Sequence, residues 1–233
     1  MSDKINWWDR PRVEDSHVLN VQNCPSCASR RKNLIFVGAN DMVEIKEYVQ
    51  HYDRGIFVEP ISAVMKRLCL HLKAASELYN ARYKAIQALV AATEGKVIDF
   101  FLADNNGASS SIYPPNKNEW KWDVKFAERQ AQVNCTRMDT IINNELSWLK
   151  KSGRLKFDVV VDTQGSELEV LKSFGQFLEN IEKLVVEVST REFYKGQPLF
   201  VEINAFLEKN KFKLIKPPEK DHSDAIYIRE ENV

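Results

Sequence analysis

The sequence has few of the residues that define disulfide-rich, membrane-spanning or strongly basic proteins. It contains four cysteines in 233 residues, too few for a disulfide scaffold, and its 33 basic and 33 acidic side chains cancel. No stretch approaches the roughly 20 consecutive apolar residues of a transmembrane helix, and the N-terminus lacks the pattern of a signal peptide. We therefore expect a soluble, cytoplasmic protein without a membrane span, and the absence of net positive charge argues against a nucleic-acid partner.

The pair Cys24-Pro-Ser-Cys27 has a spacing that occurs in metal and redox sites. A zinc site needs four ligands, and no second pair of Cys or His lies nearby in the sequence. A thioredoxin-like pair would follow a strand, whereas this one lies in a polar N-terminal arm. We interpret it as an ordinary pair of thiols in a loop.

Short apolar runs alternate with helical patterns over residues 33–233, which predicts an α/β domain after an N-terminal arm or lid, residues 1–32. The predicted strands are 34–37, 55–58 followed by the turn residues 59–60, 81–91, 96–103, 132–138, 157–161, 183–189, 211–216 and 224–230. The predicted helices are 42–53, 61–80, 139–153, 166–179 and 199–209. About eight residues separate the last two strands, too few for a crossover, so these strands should pair antiparallel. The pattern is that of a Rossmann-like, class I methyltransferase: a mostly parallel, doubly wound sheet with an antiparallel final strand.

Ligands of open parallel sheets bind beyond the carboxyl ends of the strands, so the residues that follow each strand are candidates for a site. Gly38 follows the first strand, and Glu59 follows the second, 21 residues later. A carboxylate at that spacing can accept hydrogen bonds from the two hydroxyls of a ribose. The loop has one glycine rather than three, which predicts an adenosine ligand without a pyrophosphate, and S-adenosylmethionine is the obvious one. Ordinary strand-to-helix turn chemistry is the alternative for these residues alone.

Several segments, in chain order, resemble the motifs of the FkbM-type methyltransferases. They are "FVGAND", "GIFVEPI", "GASSSI", "TRMDTII" and "DVVVDTQGSELEVLKSF" with the following "LENIEKLVVEV". The resemblance covers about residues 33–190, and its most specific part is Asp162-x-x-Gly165-x-Glu167. It implies a class I, S-adenosylmethionine-dependent enzyme that methylates oxygen, often a hydroxyl of a sugar or natural product. The chain departs from the family at Phe36, Met42 and Val160, where the family often has Asp, Gly and Lys.

The resemblance also implies which residues contact the cofactor. Gly38, Asn40 and Asp41 would line its methionine end, and Glu59 would bind its ribose. Gly107, Ser109 and Ser110 would form a loop nearby. The full set of cofactor-binding residues expected on this basis is Gly38, Ala39, Asn40, Asp41, Glu59, Pro60, Ile61, Gly107, Ser109, Ser110 and Asp162.

Three carboxylates are candidates for catalysis. A hydroxyl is a poor nucleophile until its proton leaves, so a base within about 3 Å of it accelerates transfer. Asp162, at the tip of its strand, is the first candidate, and Glu187 on the neighbouring strand is the second. Glu167, in the first turn of a helix, is a third candidate. The alternative is that Glu167 has no catalytic role and only compensates the helix dipole. Glu187 can instead be a structural carboxylate, and Asp162 with Glu187 could hold Mg²⁺ or Ca²⁺.

Aromatic residues and one histidine complete the candidates. Trp7, Trp8, Trp120 and Trp122 lie in predicted loops that could stack on a sugar acceptor, or simply attach the arm to the domain. His17, also in the arm, could be a base in a lid or a solvated side chain. The alternatives to a sugar O-methyltransferase are a nucleic-acid methyltransferase and a non-catalytic binding or assembly protein that keeps the fold. Homo-oligomerisation is compatible with each of them.

Overall fold

The computed structural model describes residues 33–41, 51–127, 131–150 and 155–230. These residues form strands and helices that alternate along most of the chain. In order they are β1 Asn33–Val37, β2 Arg54–Val58, α1 Ser62–Tyr79, β3 Arg82–Ile86, β4 Leu89–Val90, β5 Val97–Phe100, β6 Ala131–Thr136, α2 Met138–Leu149, β7 Phe157–Val161, α3 Glu167–Ser173, a 3₁₀ helix Gly175–Asn180, β8 Ile181–Ser189, α4 Phe200–Lys209, β9 Phe212–Lys216 and β10 His222–Arg229.

Seven of the strands form one sheet in the order β3-β2-β1-β7-β8-β10-β9. Neighbouring strands are parallel from β3 to β8, whereas β10 is antiparallel to both β8 and β9. The predicted mostly parallel sheet with an antiparallel final strand is therefore confirmed. The antiparallel pairing of the last two strands is confirmed as well, because β9 and β10 are joined by a short loop.

The sheet is covered by helices on both faces, which explains why its central strands are continuous apolar runs. Along β1, Ile35 and Val37 pack on the face covered by α2, α3 and α4. Leu34 and Phe36 alternate with them and pack on the opposite face, against α1. Because successive strand residues point to opposite faces, a strand buried on both sides is apolar at most positions, and the buried Asp158 of β7 is an exception.

Helix α1 closes one of these faces and has a clear sequence signature. Its buried residues Val64, Leu68, Leu72 and Ala75 recur every three or four residues, the spacing of one helix face. The helix stops at Asn80, which adopts a left-handed conformation with φ +48° and donates its N–H to the carbonyl oxygen of Ser76. The predicted helix at 61–80 is thus confirmed to within a residue or two.

A second, three-stranded sheet of order β4-β6-β5 lies beside the main one. The prediction of one strand over 81–91 is wrong, because the chain leaves the main sheet after Ile86. At the end of β3 the backbone of Glu59 still pairs with this segment: its N–H donates to the carbonyl oxygen of Ile86, and its carbonyl oxygen accepts the N–H of Ala88. The chain then bends, and Leu89–Val90 pairs with β6 instead.

Two predicted helices also differ from those observed. The helix predicted at 166–179 ends at Ser173, and a 3₁₀ helix follows from Gly175, whose φ of +52° is incompatible with an α-helix. The helix predicted at 139–153 ends at Leu149, before residues 151–154, which are not described. The predicted helix 42–53 lies mostly outside the described residues. No helix among those described is long and apolar enough to cross a membrane.

Candidate active site

The carboxyl ends of β1, β2 and β7 meet at one edge of the sheet, and Gly38 allows them to do so. Gly38 has φ +82°, and a Cβ atom there would lie 1.7 Å from the carbonyl oxygen of Asp162. Both Gly38 and Ala39 donate their N–H to the carbonyl oxygen of Val58, at 3.0 Å. The β1 loop therefore packs directly on the ends of its two neighbouring strands, and only glycine fits this position.

Glu59, at the end of β2, is almost completely buried, with 4 % of its surface exposed. One of its carboxylate oxygens accepts the N–H of Asn40 at 3.0 Å, and the other accepts the N–H of Ile61 at 2.8 Å. Burial raises the pKa of Glu59 to about 7, against the opposing effect of these two donors. The carboxylate thus ties the loop after β1 to the start of α1.

These strand ends form the wall of a cavity of about 680 Å³, a volume that includes space open to solvent. Eight of the sequence-predicted cofactor residues line it: Gly38, Asn40, Glu59, Pro60, Ile61, Gly107, Ser110 and Asp162. The lining also contains apolar residues of β1, β2 and the small sheet, among them Val58, Leu89 and Phe100. The lining therefore combines apolar side chains with two carboxylates, those of Glu59 and Asp162.

Three predicted cofactor residues do not line the cavity, and their role stays a prediction. Ala39 is buried in the core on the α1 side of the sheet. The carboxylate of Asp41 forms an ion pair with Arg67 of α1, at 3.0 Å. The hydroxyl of Ser109 accepts a hydrogen bond from the side chain of Asn105.

The loop with Gly107 covers one side of the cavity. Gly107 has φ +78°, and a Cβ atom there would come within 2.3 Å of the side chain of Ile61. Ser110, which follows it, accepts the N–H of Ala103 with its hydroxyl at 3.0 Å. The glycine thus allows the loop to approach the residues that follow β2, where the sequence resemblance expects cofactor contacts.

Gln164 joins two of the three carboxylates predicted to be catalytic, Asp162 and Glu187. Its side-chain amide nitrogen donates to Asp162 at 2.9 Å and to Glu187 at 2.6 Å. Its amide oxygen lies 2.9 Å from the hydroxyl of Tyr194, and its backbone oxygen accepts the hydroxyl of Ser111. Burial and the charge of Asp162 raise the pKa of Glu187 well above its usual range. Asp162, which lines the cavity, and Glu187, which does not, are therefore held side by side by one amide.

Glu167 has a different environment from the other two acids. It is 2 % exposed, and its Oε1 accepts the N–H of Thr163, the N–H of Gly165 and the hydroxyl of Thr163. Burial raises its pKa to about 7. The carboxylate points back into the turn that follows β7 and does not line the cavity. This geometry supports a structural role for Glu167 in shaping the turn. The catalytic role of Glu167 stays a prediction, supported only by the nearby charge of Asp162.

The described residues do not support a divalent cation at this site. Mg²⁺ and Ca²⁺ take six or more oxygen ligands, several of them from the protein. Within residues 33–41, 51–127, 131–150 and 155–230, no group of three or more His, Cys, Asp or Glu side chains could hold a metal ion. Asp162 and Glu187, the predicted metal ligands, both accept hydrogen bonds from Gln164 instead.

His222 and Tyr194 belong to the site but are absent from the sequence-based candidates. The imidazole Nε2 of His222 lies 3.2 Å from Glu187, and its Nδ1 lies 2.9 Å from the hydroxyl of Ser189. The hydroxyl of Tyr194 lies within hydrogen-bond distance of Gln164 and of the carbonyl oxygen of Ser109. His222 could have been found from the sequence. An antiparallel strand begins at the edge of the sheet where the parallel strands end, so the residues at the beginning of the final strand are candidates for the site.

Aromatic side chains pack beside the carboxylate pair. The ring of Trp120 contacts Tyr194, Trp122 and Phe126, with ring centroids 4.9 to 5.2 Å apart. Trp122 also contacts Phe193 and His222 and is 45 % exposed. The structure thus brings two of the predicted tryptophans to the acid cluster. Trp7, Trp8, His17 and the Cys24/Cys27 pair lie outside the described residues.

A seven-stranded sheet whose last strand is reversed, with a glycine turn after β1 and an acid after β2, defines the class I methyltransferases. The chain belongs to the FkbM methyltransferase domain family, whose sequence model matches residues 36–214. The predicted family and fold class are therefore confirmed. No curated protein matches the chain in sequence.

Solved methyltransferase structures resemble this one at low sequence identity. Magnesium protoporphyrin IX methyltransferase from Synechocystis PCC 6803, with bound SAM, is 7% identical with a TM-score of 0.45, over 86% of this chain and 71% of that chain. Precorrin-6y C5,15-methyltransferase from Geobacter metallireducens GS-15 is 9% identical with a TM-score of 0.43, over 86% and 81%. An uncharacterized Listeria monocytogenes serotype 4b protein is 8% identical with a TM-score of 0.44, over 86% and 63%. The chain thus spans less than two thirds of the Listeria protein, and we infer no acceptor from these likenesses.

Proposed function

We propose that the protein is an S-adenosylmethionine-dependent O-methyltransferase that acts on a hydroxyl of a sugar, a glycan or a related small molecule. The observation that carries this proposal is the pair of carboxylates Asp162 and Glu187, held together by Gln164, with Asp162 and Gln164 in the cavity lining. Methyltransferase class and family follow from the fold and the sequence. The choice of oxygen as the acceptor atom, and of a sugar as its carrier, is the proposal.

The lining of the cavity supports a placement of the cofactor with its adenosine towards Glu59. A carboxylate has about four acceptor sites, and the two backbone donors of Asn40 and Ile61 occupy two of them. The remaining sites can accept the two ribose hydroxyls. The backbone of the β1 loop at Gly38 would then lie close to the methionine portion, and the apolar residues of the lining could enclose the adenine.

The carboxylate pair suits an oxygen acceptor. In methyl transfer the acceptor oxygen attacks the methyl carbon, the carbon–sulfur bond breaks, and the sulfonium becomes a neutral thioether. The hydroxyl proton must leave at the same time, and a carboxylate of Asp162 or Glu187 can take it. Burial and the charge of Asp162 raise the pKa of Glu187, so its ionised form is a stronger base than an ordinary carboxylate. The residues after β7, Thr163-Gln164-Gly165, also differ from the Asp-Pro-Pro-Tyr site of amino-group methyltransferases.

The aromatic side chains next to the pair support a sugar as the carrier of that hydroxyl. Trp122 is 45 % exposed, and its ring packs against His222, which in turn contacts Glu187. An exposed aromatic ring beside hydrogen-bonding groups offers both an apolar face for the ring of a sugar and polar partners for its hydroxyls. A sugar stacked on Trp122 would extend towards the carboxylates and the cofactor.

Two measurements test the proposal. Calorimetric titration with S-adenosylmethionine should give micromolar binding to the native protein, loss of binding in Glu59→Ala and near-normal binding in Asp162→Asn. Transfer of labelled methyl from the cofactor to a panel of mono- and oligosaccharides should yield O-methyl products, and Asp162→Asn should lower the rate about 100-fold or more. Methylation of added RNA or DNA would contradict the proposal, and so would binding without transfer to any sugar, which favours a non-catalytic binding protein.

A further inference from the structure

Two residues contact the carboxylate of Glu187, Gln164 and His222, and the contact with His222 has no role in the function described so far. Gln164 contacts one of its carboxylate oxygens, and His222 contacts the other. His222 in turn contacts Ser189 through its second ring nitrogen. We propose that Ser189 and His222 form a hydrogen-bonded relay that positions Glu187 and favours its ionised form, in which Glu187 accepts the proton of the transfer. This inference rests on the proposed function, because it assigns a purpose to Glu187 in that reaction.

The sheet brings these three residues together. Glu187 and Ser189 are two positions apart on β8, so their side chains point to the same face. His222 opens β10 and pairs directly with Ser189 across the antiparallel ladder. Side chains of such cross-strand pairs lie close enough to interact. The imidazole of His222 then spans from Ser189 back to Glu187, at 2.9 and 3.2 Å.

The bonding pattern determines which nitrogen carries the proton. Burial lowers the pKa of His222, so its ring is neutral at neutral pH and has one donor and one acceptor nitrogen. An ionised Glu187 can only accept, and it therefore requires a proton on Nε2 of His222. Nδ1 is then the acceptor, and the hydroxyl of Ser189 is the donor that satisfies it. The direction of the relay is thus from Ser189 to His222 to Glu187.

Glu187 needs such a donor because its other neighbours disfavour its charge. Asp162 at the end of β7, Glu167 in α3 and Asp224 on β10 all raise its pKa, and burial raises it further. The rings of Trp122 and Phe193 pack on His222 and keep water from its surroundings. The charge of Asp162 also acts on His222, in the direction that raises the pKa of the ring. The N–H of His222 and the amide of Gln164 are the donors that oppose this concentration of negative charge.

The first test needs no acceptor, because it follows the carboxyl carbon of Glu187 by NMR in protein labelled with ¹³C-glutamate. Glu187→Gln identifies the signal, and its titration midpoint is compared among the native protein, His222→Phe and His222→Gln. The midpoint should rise by about one pH unit in His222→Phe, the size expected for losing one hydrogen bond to a carboxylate. It should stay near the native value in His222→Gln, because the glutamine amide can donate from a similar position. Equal midpoints in all three proteins would overturn the proposal.

The second test reads the tautomer of His222 from long-range ¹H–¹⁵N spectra. The native protein should show a neutral ring with the proton on Nε2, and Ser189→Ala should show a mixture of both tautomers. A native ring with its proton on Nδ1 would overturn the relay. Asp221→Asn is the matched control, since Asp221 is the exposed neighbour of His222 and should leave both readouts unchanged.

With a sugar acceptor in hand, the same variants give a kinetic test. In the plot of kcat against pH, the acid limb should move to higher pH in His222→Phe and not in His222→Gln. The dissociation constant of S-adenosylmethionine should stay within about twofold of the native value in both variants. Loss of rate at all pH values without a shift of the limb would indicate a merely structural role and contradict the proposal. If no acceptor is methylated, the proposed function fails, and the two spectroscopic tests still decide on the relay.

Discussion

Gly38 and Asp162 are in contact across β1 and β7: the space for a Cβ atom on Gly38 is filled by the carbonyl oxygen of Asp162, 1.7 Å away. The N–H of Asp162 donates to the carbonyl oxygen of Val37, so the two strand ends are also joined by a hydrogen bond. The position of the predicted base and the path of the predicted cofactor loop are therefore determined by the same contact. A change at Gly38 must displace one of them.

Gly38→Ala should consequently impair both folding and cofactor binding. The obstructing atom is backbone, which cannot rotate away, and the positive φ adds strain, so we expect a loss of about 3 kcal/mol or more in the free energy of unfolding. Gly95→Ala is the matched control, because Gly95 also has a positive φ but has no atom within 4 Å of its would-be Cβ. It should lose only about 1–2 kcal/mol. Urea unfolding and calorimetric titration with S-adenosylmethionine measure both effects, and equal losses in the two variants would contradict the contact.

Binding of S-adenosylmethionine should strengthen as the pH rises through about 7. The pKa of Glu59 is about 7 in the free protein, and its ionised form is the better acceptor for ribose hydroxyls. Below that pH, binding must displace a proton, so affinity should fall by up to about tenfold per pH unit. Glu59→Gln should bind more weakly and without this pH dependence. Titration calorimetry at pH 5.5, 7 and 8.5 in buffers of different ionisation enthalpy also counts the released protons, and a flat affinity in the native protein would contradict the assignment.

Site residues that directly follow a predicted strand could be identified from the sequence. Gly38, Glu59 and Asp162 each follow an apolar run directly, and the ends of parallel strands meet at one edge of a sheet. The rule needs only the strand positions, and all three residues line the cavity. The same local reasoning predicted the strands themselves, because a strand buried on both faces has a recognisable composition.

Residues that act through contacts distant in the chain could not be predicted in this way. His222 reaches Glu187 because β10 inserts between β8 and β9, and the order of strands in a sheet leaves little trace in composition. After the chain leaves the main sheet at Ile86, Leu89–Val90 pairs with β6, a segment distant in the chain. Glu167 has the sequence position of a catalytic acid, and only its three hydrogen bonds reveal that it shapes the turn after β7.

The stability of the protein should decrease as the pH rises from about 4.5 to 7, in part because of Glu167. The pKa of Glu167 is about 7 in the folded protein, against 4.5 for an ordinary glutamate side chain, so the folded state holds the proton more tightly than the unfolded state. Stability from this difference is full below pH 4.5 and is lost by pH 7, and it amounts to at most about 3 kcal/mol. Glu167→Gln keeps an acceptor oxygen and cannot ionise, so its unfolding free energy should depend less on pH.

Urea unfolding of the native protein and Glu167→Gln at pH 5 and pH 8 checks this prediction. Glu169→Gln is the control, because Glu169 lies in the same helix with a more exposed side chain and pairs with Lys172 at 3.6 Å. Its pH dependence should match that of the native protein. A Glu167→Gln variant with the full native slope between pH 5 and pH 8 would show that Glu167 ionises normally in the folded protein.

Trp122→Ala should weaken binding of the acceptor and leave binding of the cofactor unchanged. The indole ring is 45 % exposed and lies against His222 and Phe193, on the outer side of the carboxylate pair, whereas the cavity lining does not include it. Loss of one stacking surface should raise the KM of a sugar acceptor about tenfold with little change in kcat. Ile215→Ala is a suitable control, because Ile215 is an exposed apolar side chain on β9 and should leave all constants unchanged. Unchanged KM in Trp122→Ala would remove the aromatic platform from the proposed acceptor site, whereas a weaker affinity for S-adenosylmethionine would place Trp122 at the cofactor instead.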